Sequence, residues 1–222
     1  MSQDVYYELF HNIIIERPGR LDYVRKAFSM LPALDNPHIL DIGCGTLDEF
    51  ERKVIEQNYS DTIKIINRSM HDLNFPSEHF HIIWSEGSIF IIGFSEGLSQ
   101  WKKFIKPSGF LVVHDMCWLE PDPPPEILEH WQRVYPGITT VQNNVEKITA
   151  AGYSAYDHFA LPEEAWGEIY FDPLEARIQQ LREKFRHDEN ARAVLEKEFR
   201  EIELYRKFKK WYGSAYFIMQ KA

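Results

Sequence analysis

The segment from His38 to Gly45 is the feature that most limits what this chain can fold into. Residues 38–42 (HILDI) form a short apolar run that ends directly in Gly43-Cys44-Gly45. A strand that leads into a glycine turn is typical of a parallel α/β sheet, in which the loop after the first strand meets a ligand. Glycine has no Cβ to keep that ligand at a distance. The segment therefore predicts an α/β fold with a ligand site after its first strand.

Strand-like and helix-like segments alternate after this turn. Helices are predicted at about 48–58, 96–104 and 141–151, and Pro107-Ser108-Gly109 is predicted to be a turn. The further predicted strands are 62–67 (TIKIIN), 81–85 (HIIWS), 110–113 (FLVV), 153–159 (YSAYDHF) and 215–219 (AYFIM). Such alternation predicts a doubly wound, mostly parallel sheet.

Additional helices are predicted before the first strand and before the last one. Residues 2–16 and 21–31 have helical apolar spacing, and we expect residues 1–35 to form an N-terminal helical lid. Two amphipathic helices are predicted within 160–212, a helical insertion that either covers the substrate end of the site or packs on one sheet face. We expect residues 1–222 to form one domain.

Composition excludes several classes of protein. The formal net charge of −9 opposes binding to nucleic acid, since a polyanion would be repelled. No apolar run approaches the roughly 20 residues that span a bilayer, so no membrane association is expected. Two cysteines, Cys44 and Cys117, provide neither a disulfide framework nor a cysteine-based metal cluster, which favours a cytoplasmic location and no metal.

The glycine turn itself favours some ligands over others. A dinucleotide fingerprint needs a third glycine, but Asp48 stands there, and its charge would oppose a phosphate. The Gly-Lys-Ser/Thr of a phosphate-binding loop is also absent. A short turn preceded by Asp41 suits a cationic or zwitterionic ligand better. A plain tight turn without a ligand is the alternative.

Four segments together resemble class I S-adenosylmethionine-dependent methyltransferases. The segment HILDIGCGT is similar to the first motif of that family, and the resemblance continues through residues 64–94 and 102–118. It is closest to the small-molecule branch related to ubiquinone- and menaquinone-pathway methyltransferases. Within that branch, Trp84-Ser85-Glu86-Gly87 and residues 212–217 (YGSAYF) resemble motifs of a group of bacterial methyltransferases. The resemblance implies a seven-stranded-type, Rossmann-like sheet, S-adenosylmethionine as cofactor and a small organic acceptor.

The resemblance also implies which residues hold the cofactor. Asp41, Gly43, Cys44 and Gly45 match the loop around its methionine part. The segment that borders the adenine in the family corresponds to Ser69-Met70-His71, and Ser85 with Gly87 corresponds to the strand end at which donor and acceptor meet.

Two side chains are candidates for catalysis. Glu86, at the end of its strand, is suited to stabilising a nearby cation or accepting a proton from the acceptor. The alternative for Glu86 is a buried carboxylate bonded to loop amides. His114, just after FLVV, is a candidate general base or a structural histidine. Trp118, Trp166, Tyr170, Tyr205 and Tyr212 are candidates for the acceptor pocket or for core packing.

Two departures from the family pattern affect the predicted cofactor site. Ser69 stands where the family has an acid beside the adenine. After Thr46 the sequence continues at Leu47 as the family's second helix, so its first helix, second strand and ribose-binding acid have no counterpart. We therefore expect a segment of roughly 25–30 residues to be missing there, and the two Cα atoms to lie further apart than the about 3.8 Å of bonded neighbours.

These departures leave rival functions open. A protein that keeps the methyltransferase fold and binds the cofactor without catalysis would tolerate them. A nucleotide-dependent oxidoreductase is a further rival, although the incomplete glycine fingerprint counts against it.

Overall fold

The computed structural model describes residues 2–10, 18–45 and 47–222 of the chain. Five strands form one mixed sheet in the order β1-β2-β3-β5-β4. The strands are β1 (Ile39–Asp41), β2 (Phe80–Glu86), β3 (Ile105–Trp118), β4 (Tyr153–Ala160) and β5 (Tyr212–Lys221). β2 pairs in parallel with both β1 and β3. The α/β fold predicted from the sequence is confirmed, with five strands in the described residues where the family resemblance implied seven.

Helices connect and cover these strands. A 3₁₀ turn spans Ile89–Ile91, and a π-helical turn spans Gly167–Phe171. The α-helices are α1 (Ser2–Phe10), α2 (Leu21–Ser29), α3 (Leu47–Glu56), α4 (Phe94–Lys102), α5 (Pro125–Val134), α6 (Val141–Ala150), α7 (Glu163–Trp166), α8 (Asp172–Lys184) and α9 (Glu189–Phe208). The predicted N-terminal helices and the helical pair before the last strand are therefore present.

The strand predicted at residues 62–67 is wrong. Residues 63–69 have no regular secondary structure, although their composition is β-rich. A strand forms only where a neighbour pairs with its backbone. Among the described residues, β1 is the outer strand on this side and pairs with β2 alone. Ile39, Ile63 and Ile66 are 43%, 37% and 40% exposed, although they are large apolar residues. This side of the sheet thus presents an open edge.

The turn predicted at Pro107-Ser108-Gly109 lies within β3 as an irregularity. The register runs from Phe80 opposite Ile105 to Ile82 opposite Phe110, so β3 has extra residues at this point. Ser108 has a φ of +60°. The local backbone is therefore turn-like, while the strand pairs on both sides of it.

The chain divides into two compact units. The first contains residues 1–31, 116–141 and 159–215, apart from those that are not described. In it, α1 packs against α8 and α9, with Leu9, Ile178 and Leu195 fully buried. The helical apolar spacing seen in the sequence therefore corresponds to real packing. The roles of residues 1–35 as a lid and of 160–212 as a substrate cover stay predictions, as does the single domain over 1–222.

The second unit contains residues 32–115, 142–158 and 216–222. Most of β2 and the central part of β3 are buried in it, which explains why their sequences read as continuous apolar runs rather than as alternating ones. Trp101 of α4 is fully buried. The Lys102 ammonium donates to the carbonyls of Ala151 and Gly152 at 2.9 and 2.7 Å and so anchors the end of α6.

Two expectations fall on residues outside the described ranges. α1 covers Ser2–Phe10, and the predicted continuation of this helix over 11–16 lies outside them. Thr46 also lies outside them, so its separation from Leu47 stays a prediction. None of the described helices combines the length and apolarity that crossing a membrane requires.

Candidate functional site

The glycine loop continues directly from β1. The Ile42 N–H donates to the Trp84 carbonyl at 2.8 Å, which extends the pairing of β1 with β2 by one residue. Gly43 and Gly45 then have φ values of +91° and +79°. L-residues rarely adopt this conformation, so both positions require glycine for the turn itself. The chain thereby reverses at the carboxyl end of a parallel strand, where α/β sheets bind ligands.

Ser88 fixes this loop to the end of β2. Its hydroxyl donates to the Ile42 carbonyl at 2.8 Å and lies 2.8 Å from the Ser85 hydroxyl. A Cβ added at Gly43 would lie 2.3 Å from the Ser88 oxygen. At Gly43, the missing Cβ therefore permits a close approach of the Ser88 side chain, and the predicted approach of a ligand to the Gly43 backbone stays a prediction. A Cβ added at Gly45 meets nothing within 4 Å.

A cavity of about 660 Å³ lies beside the loop and the open edge of β1. Its volume falls within the roughly 300–1,000 Å³ of small-molecule sites. The loop forms one wall and residues 62–68 form another. Asp41 is the sole carboxylate among the described residues that line it, while Lys64 and Arg68 bring positive charge from the second wall. The cavity therefore offers an acidic group next to the glycines and basic groups opposite.

The predicted cofactor residues are only partly brought together. Those that line the cavity are Asp41, Gly43, Cys44, Gly45 and Met70. Ser69 and His71 flank Met70 and are exposed, and the His71 N–H donates to the Ser69 hydroxyl at 3.2 Å. Ser85 is fully buried and reaches the loop through Ser88. The Gly87 N–H donates to the His114 carbonyl at 2.9 Å.

Cys44 lies in the loop between the two glycines. Burial and, secondarily, the nearby Asp41 carboxylate raise the pKa of its thiol. A thiol with a raised pKa holds little thiolate at neutral pH, and the thiolate is the nucleophilic form. Cys44 is therefore suited to packing against a ligand rather than to covalent chemistry.

Glu86 is held in position by two donors from different strands. The Trp84 indole N–H donates to its Oε1 at 2.7 Å, and the Tyr216 hydroxyl donates to the same oxygen at 2.9 Å. Trp84 and Glu86 are two residues apart on β2, so their side chains lie on the same face of the sheet. Glu86 is half-buried, and Tyr216 is fully buried. The carboxylate thus has side-chain partners from two strands, and its bonding to loop amides stays a prediction.

His114 lies next to both Glu86 and Tyr216. It is the Cα partner of Glu86 in the parallel pairing of β2 with β3, and its ring centroid lies 4.8 Å from that of Tyr216. Only 3% of His114 is exposed. Tyr216 therefore reaches Glu86 from β5, on the far side of the strand that carries His114.

Two motifs identified separately in the sequence thus meet at one carboxylate. Trp84 and Glu86 come from Trp-Ser-Glu-Gly, and Tyr216 comes from the motif at residues 212–217. The sequence analysis named Glu86 but missed Trp84, Tyr216 and Ser88 as site residues. Trp84 could have been predicted, because residues two apart on a strand share a face and Trp84 is two residues from Glu86. The contact with Tyr216 could not, because it depends on the order of the strands in the sheet.

The candidate acceptor aromatics form a cluster in the first unit. Trp118, Trp166 and Tyr205 have ring centroids 6.4, 6.0 and 5.8 Å from that of Tyr212. The Trp166 indole donates to the Ser214 hydroxyl at 3.1 Å. All four of these rings are buried, and Tyr170 contacts Phe171 beside them. These buried ring contacts are core packing. That the same rings line an acceptor pocket stays a prediction.

Within the described residues, no group of three or more His, Cys, Asp or Glu side chains is arranged to hold a metal ion.

Comparison with solved structures identifies the fold. No protein-family model and no curated protein matches the sequence. A Geobacter sulfurreducens structure titled as an S-adenosylmethionine-dependent methyltransferase with S-adenosylhomocysteine matches with a TM-score of 0.85 and 12% identity, covering 99% of this chain and 98% of that one. A similarly titled Thiobacillus denitrificans complex matches with a TM-score of 0.84 and 13% identity, covering 98% of each chain. The chain has the S-adenosylmethionine-dependent methyltransferase fold.

One matched structure with this fold is named for a different activity. The structure of the [4+2]-cyclase SpnF matches with a TM-score of 0.75 and 15% identity, covering 100% of this chain and 96% of that one. At such identities the likeness concerns the fold, and the function has to be argued from the site.

The contact of Gly43 with Ser88 gives a direct test of the loop. We expect Gly43→Ala to lower the free energy of unfolding by about 2–4 kcal/mol, because it adds a steric overlap to an unfavourable φ. Gly45→Ala is the matched control, since it has a similar φ and open space, and should cost only about 1–2 kcal/mol. Ser88→Gly should partly rescue Gly43→Ala in chemical denaturation. Equal losses for the two alanine variants would contradict the proposed packing of Ser88 on Gly43.

Proposed function

We propose that this protein is an S-adenosylmethionine-dependent methyltransferase that acts on a small organic molecule. The observation that carries the proposal is the Asp41–Gly45 loop, which opens into a cavity at the carboxyl end of β1 within a methyltransferase fold. Two matched proteins of this fold are titled as complexes with S-adenosylhomocysteine.

The described residues fit this cofactor on its methionine side. Asp41 is suited to the cationic amine of the methionine part, and the backbone at Gly45 is open to close approach. The cofactor supplies a methyl group that is already activated as a sulfonium. Apolar side chains of the second wall, among them Ile63, Ile66 and Met70, suit an aromatic base. Asp41, Gly43, Cys44, Gly45 and Met70 are therefore the proposed binding residues, with Ser69 and His71 flanking them.

Glu86 is the proposed group at the reacting centre. Asp41 is the Cα partner of Trp84, which shares a sheet face with Glu86, so the two carboxylates point to the same side near the strand ends. A carboxylate in that position attracts a cation and can accept a proton from an amine or hydroxyl acceptor. We assign proton transfer to Glu86 ahead of His114, because His114 is 3% exposed. Ser85 and Gly87 on either side support the strand end.

Little further side-chain chemistry is required. Holding the methyl donor and the acceptor in line provides most of the rate enhancement for such a transfer. The net charge of −9 supports a small acceptor over a nucleic acid.

A second candidate is a protein that keeps this fold without methyl transfer. The likeness to a [4+2]-cyclase supports it, as does the absence of a second carboxylate among the described cavity residues. Binding of the cofactor without turnover of any acceptor would favour this candidate.

Cofactor binding is the first requirement of the proposal. A ligand that binds only the folded state stabilises it by about 2.7 kcal/mol at one hundred times its dissociation constant. We expect S-adenosylhomocysteine to raise the melting temperature of the native protein and to raise it less for Asp41→Asn. Asp35→Asn, an exposed acid outside the cavity, should behave like the native protein. The assignment is wrong if saturating ligand leaves the native melting temperature unchanged.

We also propose that the native sheet has the seven strands implied by the family resemblance. The open edge of β1, the irregular residues 63–69 and the exposed Ile39 are what removal of a neighbouring strand would leave behind. The cavity lies between these two parts of the chain. A further βα segment of roughly 25–30 residues between Thr46 and Leu47 would pair with β1 and give residues 63–67 a partner.

Peptide mapping of the protein from its natural source tests this segment. If Thr46 and Leu47 are bonded, trypsin releases one peptide from Ala27 to Arg52, because no Lys or Arg lies between its ends. We expect that peptide to be absent and the intact mass to exceed 26.3 kDa. Detection of the uninterrupted peptide would contradict the missing segment and favour the non-catalytic candidate.

A further inference from the structure

One oxygen of the Glu86 carboxylate accepts hydrogen bonds from two side chains. The Trp84 indole lies 2.7 Å and the Tyr216 hydroxyl 2.9 Å from Oε1. The two donors approach from different strands, since Trp84 belongs to β2 and Tyr216 to β5. Two donors from different directions hold that oxygen of the carboxylate in place.

Tyr216 is itself held firmly. It is fully buried, and its ring lies 4.8 Å from the His114 ring and 6.4 Å from the Trp84 ring. Rings at such separations restrict the rotation of one another by packing. The phenol therefore presents its hydroxyl to Glu86 at little further cost in side-chain entropy.

We propose that Tyr216 is a positioning residue, which together with Trp84 orients the Glu86 carboxylate for its role at the reacting centre. This inference rests on the proposed function of Glu86. An indole N–H can only donate, so Trp84 always prefers an acceptor at Oε1. Both donors favour the ionised carboxylate, because a hydrogen bond to a charged oxygen is stronger than one to the neutral carboxyl group. Glu86 is thereby kept as a proton acceptor.

Other ionisable groups lie on the strands beside this carboxylate. His114 is its partner on β3, Asp41 is the partner of Trp84 on β1, and Asp115 follows His114 on the opposite face of β3. A protonated His114 would favour the ionised form, and the two aspartates would oppose it. These three residues are unchanged in the variants below, so their influence is common to all of them.

The test is a carbon-13 NMR titration of protein labelled at the glutamate carboxyls, with Glu86→Gln used to assign the Glu86 signal. A hydrogen bond to a charged group is worth roughly 1.5–3 kcal/mol. We therefore expect Tyr216→Phe, which keeps the ring, to titrate Glu86 at a pH about one to two higher than the native protein. The acidic limb of the kcat/KM profile should move in the same direction.

Tyr153→Phe is the matched control. Its hydroxyl donates to the Leu98 carbonyl at 3.0 Å, so it loses a buried tyrosine hydrogen bond in the same unit without touching Glu86. We expect the Glu86 titration to be unchanged in it. If Tyr216→Phe does not fold, Trp84→Phe removes the other donor and should shift the titration in the same direction.

The outcomes separate this inference from the proposed function. A Glu86 titration in Tyr216→Phe that matches Tyr153→Phe would overturn the positioning role, whatever the activity. A shifted titration without methyl transfer to any acceptor would support the positioning role and count against the proposed function, because the NMR measurement needs no turnover.

Discussion

The attachment of β1 to β2 is the constraint on which the candidate site depends. β1 has only three residues, and within the described chain it pairs with β2 alone. The Ile42 N–H extends this pairing one residue past the strand. The Ser88 hydroxyl then donates a hydrogen bond to the Ile42 carbonyl. Without that bond the carbonyl would be a buried acceptor with no compensation, a cost of about 1–3 kcal/mol. The glycine loop is thus held from the second strand rather than by its own residues.

The same arrangement links the loop to Glu86. Ser85 and Glu86 are adjacent on β2 and point to opposite faces of the sheet. Ser85 turns toward Ser88 and the glycine loop, whereas Glu86 turns toward Trp84 and Tyr216. One short segment therefore anchors the proposed cofactor loop through Ser85 and orients the proposed catalytic carboxylate at the next residue, Glu86. A Trp-Ser-Glu-Gly sequence at a strand end can therefore anchor a loop through its serine and hold a carboxylate through its tryptophan.

Elements with regular periodicity were predictable from the sequence, and contacts between distant segments were not. The runs at 81–85 and 110–113 are confirmed as parts of β2 and β3, because a strand buried on both faces must be apolar throughout. The strand at 62–67 failed because strand formation also needs a neighbour, which local composition does not report. In the site, Glu86 was found from its motif, whereas Tyr216 lies 130 positions away and meets it only through the order β2-β3-β5. The sequence predicted that Gly43 adopts a tight turn, but it could not predict that Ser88, 45 positions away, packs against Gly43.

The central claim is that the Asp41–Gly45 loop binds S-adenosylmethionine with Glu86 facing the reacting centre. A crystal structure of the protein grown with saturating S-adenosylhomocysteine tests it most directly. We expect ligand density against Gly45 and Asp41, with the ligand sulfur on the side of the sheet that carries Glu86. Density at a different site, or a glycine loop without ligand at saturating concentration, would show that this loop does not bind the cofactor.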